Sequence, residues 1–182
     1  MITAQHCFIR TADPDDALAL ERFYAPEKPR AAFLDRKREL LVPTFDELRE
    51  LLSAKEAKAG VFYTVEDRGG TIRGFCSLRG AHPEVSHAEF VVVFADDADY
   101  DAPFADDVFE FLTDRAFVQL KLNKVLAQCL DSEAAFRAFL AARGFQSDGV
   151  QRDVLFAGGR WRRLESLSLF RSQFPPRNAG TR

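Results

Sequence analysis

The chain has 182 residues, 47% of them hydrophobic, which suits one folded domain with a sizeable core and excludes general disorder. A formal net charge of −3 supplies no overall attraction to nucleic acid, so none is expected as a partner. Three cysteines, Cys7, Cys76 and Cys129, cannot pair completely and stand in apolar runs, so reduced core thiols in a cytoplasmic protein are expected.

The opening stretch MITAQHCFIR has no hydrophobic signal region, and no apolar run nears the ~20 residues that cross a bilayer, so no membrane partner is expected. Residues 7–10 read as a short strand. Asp13-Pro14-Asp15-Asp16 supplies an N-cap, a proline at the first helical position and acids in the first turn. The helix so opened runs to about Tyr24, with Ala17, Leu20 and Phe23 inward, and Pro26 and Pro29 break it. Residues 33–41 read as an irregular helical piece. Thr44-Phe45-Asp46-Glu47 is a capping-box pattern that starts a helix with Phe45, Leu48, Leu51 and Leu52 on one side, ending near Gly60.

Residues 61–66 and 71–78 read as strands joined by a turn at Asp67-Arg68-Gly69-Gly70. The apolar run up to Phe94 makes His87–Phe94 a strand buried on both faces. A long amphipathic helix follows from about Pro103 to Leu120, with Phe104, Val108, Phe111, Leu112 and Phe117 inward. Lys124–Leu130 is another strand. Asp131-Ser132 caps a helix through Ala142, with Phe136, Phe139 and Leu140 at helical spacing, and Gly144 stops it. Residues 151–156 and 164–170 pair as a hairpin around Gly158-Gly159. Residues 173–182 read as a flexible tail behind a single domain of residues 1–172. This order implies an α/β fold, a mixed and mostly antiparallel sheet of about seven strands with helices on both faces.

Between the strand ending at Phe94 and the helix opening at Pro103 lie Asp96, Asp97, Asp99 and Asp101, with Asp106 and Asp107 in the first helical turn. A strand that feeds a helix N-terminus is a common place to hold an anion. Here it is filled with carboxylates, and no Lys or Arg occurs from Gly80 to Asp114. Asp97, Asp99 and Asp101 alternate as in a calcium loop. Ala102 replaces the sharp-turn glycine and Val108 the bidentate glutamate, so no metal is assigned. A solvated acidic turn that caps a helix explains the cluster, and a polyamine or basic peptide suits its charge. Arg160, Arg162 and Arg163 read as a solvated hairpin tip rather than a nucleic-acid contact.

The element order, with CFIRTADPDDALAL, AFVQLKLNKVLAQCLDSEAAFRAFLAARGF and GVQRDVLFAGGRWRRLESLSLF, resembles the GNAT superfamily of acyl-CoA-dependent N-acetyltransferases from about Cys7 to Phe170. It is most similar to the branch that acetylates ribosomal-protein N-termini, with Gly144-Phe145 at the family's Gly-Phe. The resemblance implies acetyl-CoA as cofactor, its pantetheine along Val91, Val92, Val93 and Phe94. It implies pyrophosphate in a loop whose glycines fall at Asp101 and Pro103. Pro103 has no N–H to donate, and Asp101 is placed to cap the helix with its own carboxylate. The loop is therefore degenerate, and the usual cofactor pose is expected to weaken. Asp131 stands where the family often has a cofactor-contacting asparagine, and Leu140 where many relatives place a tyrosine general acid.

Acyl transfer to an amine needs a base, because an ammonium cannot attack a thioester. Glu89 corresponds to a carboxylate that some relatives use, and an ion-paired strand glutamate is its structural alternative. His87 is the second candidate, since imidazole titrates near neutrality, against a surface residue at a strand start. His6 and His82 have no evident partner. The expected function is transfer of an acyl group from acyl-CoA to a primary amine on a small-molecule or peptide acceptor, cationic in character. A non-catalytic GNAT-fold interaction module that has lost acetyl-CoA binding is the alternative. The resemblance implies that residues 24–60 line the acceptor side, and a homodimer is left open.

Overall fold

The computed structural model describes residues 1–24, 28–34, 43–53, 61–81 and 86–174. Strands β1 (Ile2–Thr3), β2 (Cys7–Thr11), β3 (Phe62–Asp67), β4 (Ile72–Arg79), β5 (His87–Phe94), β6 (Lys124–Leu130), β7 (Gln146–Ala157) and β8 (Arg160–Phe170) form one sheet, ordered β1-β2-β3-β4-β5-β6-β8-β7. Neighbours pair antiparallel except β5 and β6, which are parallel. The expected mixed sheet is thus present with one strand more, because β1 is held only by its pairing with β2. Strand β7 also starts at Gln146 rather than Gln151; its added residues are exposed and carry no apolar alternation, Val150 being their one large apolar side chain.

Local chemistry starts the helices. Asp13 accepts the Asp15 N–H at 3.0 Å while its own N–H donates to Asp16 at 2.8 Å, capping a 3₁₀ turn that leads into α1 (Ala17–Glu21). Thr44 and Glu47 exchange the two capping-box bonds, 2.8 and 3.3 Å, ahead of α2 (Phe45–Ser53). Leu48 and Leu52 of α2 are buried, but Phe45 is 41% exposed and lies under the Arg49 guanidinium rather than in the core. Helix α3 (Pro103–Asp114) widens into a π turn over Arg115–Gln119. Helix α4 (Ala134–Ala142) has Glu133, not Asp131 or Ser132, at its N-cap, and Gly144 at φ 87° ends it. Residue 33 closes a 3₁₀ turn, Ala31–Phe33. Leu34 follows it in extended conformation, and residues 35–41 of the expected helical piece, Pro26, the helix end near Gly60, His82 and the tail from Pro175 lie outside the described residues.

Strand β5 is the spine of the core. Ala88, Phe90, Val92 and Phe94 face a layer built from α3 and α4, where Val108, Leu112, Phe139 and Leu140 are buried. Val91 and Val93 face the opposite layer, against Leu20 of α1 and Leu48 and Leu52 of α2. All three cysteines are buried and free. Burial pushes the Cys7 and Cys129 thiols up to about 12, which disfavours the reactive thiolate. No described helix is long and apolar enough to cross a membrane.

Candidate active site

Strands β5 and β6 pair over His87↔Lys124, Ala88↔Val125 and Glu89↔Leu126. Beyond that point β5 stays on β4 as far as Gly74↔Phe94, and β6 stays on β8 as far as Leu130↔Leu164. Each strand follows its other neighbour, so the two diverge into a fork. The inner edges of the fork carry backbone groups with no strand partner, and such groups must bond to something.

Much of that edge is bonded from within the chain. Tyr100, on the 3₁₀ turn Asp97–Asp101, is 4% exposed and packs its ring on Phe94, Phe136 and Phe139 at 4.9, 5.4 and 5.6 Å. Its hydroxyl donates to Val92 O at 3.3 Å and accepts the Phe94 N–H at 3.5 Å. Arg30, whose guanidinium lies over the Phe23 ring, donates to Phe94 O at 2.6 Å and Ala95 O at 3.3 Å. Ala31 is buried with Leu130 and Leu164. Glu133 ties this segment to the open end of β6 by accepting the N–H groups of Ala31 at 2.9 Å and Leu130 at 2.8 Å. Burial raises the Glu133 carboxyl above its usual range, against the lowering effect of those two N–H groups and of Arg30.

Glu89 sits at the last paired position, on the face shared with Val91 and Val93. It is half-buried and bonded to Arg79 at 2.8 Å, and Arg79 also donates to Ala32 O at 3.0 Å. The ion-paired glutamate is therefore what stands there, in a place where it also faces the layer carrying α1 and α2. His87 is half-buried at the base of the fork, in register with Lys124. His6 does have a partner: its N–H donates to Asp107 at 2.6 Å and its Nδ1 lies 3.4 Å from the same carboxylate.

The acidic turn differs from the sequence reading in two respects. First, cations do reach it. Antiparallel pairing brings Arg73 beside Ala95, where it ion-pairs with the buried Asp99, and Arg143 reaches Asp106 from the end of α4. Second, Asp101 does not cap α3. It ends the preceding 3₁₀ turn with an exposed side chain, while Ala102 is the N-cap and makes no side-chain bond. Pro103 occupies the first helical position as expected, and the Ala105 N–H already bonds Ala102 O at 2.9 Å. Asp96, Asp97 and Asp101 remain exposed. Among the described residues no three His, Cys, Asp or Glu side chains are grouped to hold a metal ion.

Asp131 lies in the turn after β6 and faces β8 rather than the fork, 3.7 Å from Arg162 and 3.6 Å from Arg163. Arg162 is buried and donates to Ala157 O at 3.1 Å, so the basic hairpin is not wholly solvated. A cavity of about 430 Å³ opens elsewhere, between α3, the end of α4 and the end of β8, and contains neither Glu89 nor the fork. The fork residues missed in the sequence are Tyr100, Arg30 and Glu133. One signal was available for the first: against eighteen Phe the chain has three Tyr, and a tyrosine in such a core needs a partner for its hydroxyl.

The acetyltransferase (GNAT) domain family matches residues 9–162. No curated protein matches the sequence. Among solved structures, spermidine N-acetyltransferase from Vibrio cholerae in complex with CoA and spermine has a TM-score of 0.73 at 20% identity, over 92% of this chain and 97% of that one. A dodecameric structure of spermidine N-acetyltransferase from the same organism has a TM-score of 0.74 at 19% identity, over 94% and 98% of the two chains. At such identities the structural likeness establishes the fold. The family match spans most of the sequence, and on that ground the chain belongs to the GNAT acetyltransferase family.

Proposed function

We propose that the protein is an acyl-CoA-dependent N-acyltransferase that acylates a primary amine and holds its donor in an altered, weakened pose. The observation that carries this reading is the fork that opens beyond Glu89↔Leu126 with a carboxylate at its base. A thioester laid along the Val91, Val92, Val93 and Phe94 stretch would have its carbonyl polarised by strand N–H groups. Glu89, with His87 as second candidate, would take the proton of the incoming amine directly or through water. The weakened pose is inferred from Asp101 and Pro103 at the two glycine positions of the pyrophosphate loop, and from Asp131 in its pairs with Arg162 and Arg163.

The acceptor class is a cationic amine. A structural neighbour is a spermidine N-acetyltransferase seen with spermine, and the exposed Asp96, Asp97 and Asp101 suit a polycation here. The likeness of residues 149–170 to the closing hairpin of the ribosomal-protein branch makes a peptide amine the next acceptor to try. The dodecameric neighbour makes self-association, as a homodimer, part of the same reading. The buried, free cysteines support a cytoplasmic setting.

The test is a titration of acetyl-CoA read by melting temperature, followed by acetyl transfer to spermidine, spermine and a basic peptide. A ligand at a hundred times its dissociation constant raises stability by about 2.7 kcal/mol. No shift at millimolar acetyl-CoA, with no acetylated amine, ends this reading. A second reading, a GNAT-fold interaction module that has lost its donor, is favoured by Tyr100 and Arg30 already bonding Val92 O and the N–H and C=O of Phe94. The same silent titration is what it requires.

A further inference from the structure

The geometry points to a built-in competitor for the acyl donor: Tyr100, with Arg30 beside it, occupies the inner edge of β5 and must withdraw before a donor can lie there. This rests on the acyltransferase reading above for the identity of the donor, and on the fork alone for the seat that Tyr100 fills.

Along an extended strand, the N–H and C=O of a residue point to the same side. The Phe94 and Val92 groups bonded by Tyr100 and Arg30 therefore share one edge, the edge turned away from β4. A linear ligand with amide groups, as pantetheine has, binds such an edge by donating to a carbonyl and accepting from an N–H. Tyr100 does both with one hydroxyl, toward Val92 O at 3.3 Å and Phe94 N–H at 3.5 Å. Arg30 takes the next acceptor, Phe94 O at 2.6 Å. The ring is enclosed by Phe94, Phe136 and Phe139, so the ligand chain and the ring cannot share the space.

The turn that carries Tyr100 is itself fastened. Asp99, next to it, is buried against Arg73 and accepts the Asp96 N–H at 3.2 Å. The two hydroxyl bonds, by contrast, are long for their type. Tyr100 is therefore held by ring packing and by its turn, and its polar contacts are ones that a donor amide can replace.

Two variants and two readouts test this. Tyr100→Phe keeps the ring and removes the hydroxyl; Tyr100→Leu also empties part of the seat. Without any donor, hydrogen exchange at the Phe94 amide should quicken by roughly tenfold in Tyr100→Phe, since its protecting acceptor is gone. In calorimetric titrations, acetyl-CoA should bind Tyr100→Phe roughly 3- to 10-fold more tightly than the wild type, the scale of one modest hydrogen bond removed from the closed state. Tyr100→Leu should gain more, and melting curves confirm that each variant is folded. Unchanged exchange at Phe94 in both variants overturns the seat. Measurable but equal affinity in all three proteins overturns the competition and leaves the acyltransferase reading standing. No binding by any of them at millimolar acetyl-CoA overturns both.

Discussion

Placing glycine at the two positions where the family resemblance expects it, by Asp101→Gly together with Pro103→Gly, should tighten acetyl-CoA binding by about two to three orders of magnitude. The figure is built from two local effects. The Asp101 carboxylate is exposed at the end of its turn, so a phosphate about 4 Å away meets roughly 1 kcal/mol of repulsion in water. Glycine at 103 returns an N–H at the first position of α3, and a hydrogen bond from it to a charged phosphate is worth about 1.5–3 kcal/mol. Together these come to about 2.5–4 kcal/mol, against 1.4 kcal/mol per factor of ten. The unliganded double variant should be less stable by roughly 1–2 kcal/mol, because each glycine adds freedom to the unfolded chain. Calorimetry at low and high salt separates the two parts. The gain from Asp101→Gly alone should shrink as salt rises, since the screening length falls from about 10 Å at 0.1 M to about 3 Å at 1 M, below the charge separation. The gain from Pro103→Gly alone should change less. Unchanged affinity in the double variant would refute the placement of the pyrophosphate here, and a salt-insensitive Asp101→Gly gain would refute the electrostatic part.

Other expectations follow from the same contacts. Glu89→Gln should lower turnover by about 10²- to 10⁴-fold with donor affinity kept, measured by steady-state kinetics, and undiminished turnover removes Glu89 as the base. Asp16 is buried, yet Arg10 at 2.7 Å, the Thr64 hydroxyl at 2.7 Å and the Asp13 N–H hold its carboxyl below the usual range despite the opposing effect of burial. A lowered folded pKa adds stability above the ordinary aspartate value of 3.8, and that stability is lost as pH falls through the depressed value. Asp16→Asn should therefore be less stable by about 2 kcal/mol at pH 7, with the gap closing in acid; a pH-independent gap in urea unfolding contradicts this. Glu133 has the opposite sign. Its raised carboxyl contributes fully below the ordinary value of 4.5 and loses that contribution as pH rises through the raised one, so Glu133→Gln should gain on the wild type with rising pH. A flat difference across that range would contradict burial as the cause. Gly74→Ala should destabilise by about 1–3 kcal/mol in the same assay, because its Cβ would lie 2.5 Å from Val93 O and 2.6 Å from the Phe94 ring.

What could be read in the sequence was local or periodic. His87–Phe94 and Lys124–Leu130 were legible to the residue, the first through its apolar stretch Phe90–Phe94 and the second through its alternation of buried and half-buried positions between Asn123 and Asp131. Asp13, Thr44 and Glu47 announce their helix starts within four residues of chain, so their bonds follow from spacing alone. The glutamate at 89 was legible through resemblance, and its Arg79 partner was not, because that pair depends on the β4–β5 register. The same register carries Arg73 to the acidic turn, a cation that lies outside the aspartate run in sequence. Arg30 reaches Phe94 across 64 positions, and Glu133 reaches Ala31 across 102. No periodicity encodes such contacts. Helix α4 departs from its expected cap for a related reason: Asp131 has the right chemistry, but it pairs with Arg162 and Arg163 on β8 and Glu133 takes the N-cap.

The acidic turn and the occupied strand edge act on different quantities, and this makes their combination informative. On the proposed reading, carboxylates at the start of α3 would lower the intrinsic affinity for a diphosphate. Tyr100 would instead lower the fraction of molecules with an open edge, and the apparent dissociation constant would rise as the reciprocal of that fraction. Independent effects multiply, so the Asp101→Gly and Tyr100→Phe gains should add as free energies. Their adjacency in one 3₁₀ turn argues for a departure from that rule. Glycine at 101 loosens the turn that seats Tyr100, so the single Asp101→Gly variant should already show faster exchange at Phe94. It should then leave Tyr100→Phe less to gain. A double-mutant cycle with a sub-additive result and quickened Phe94 exchange would mean that one turn governs both halves of the donor site. Strict additivity, with Phe94 exchange unmoved by Asp101→Gly, would mean that the phosphate end and the pantetheine end of the fork are held separately.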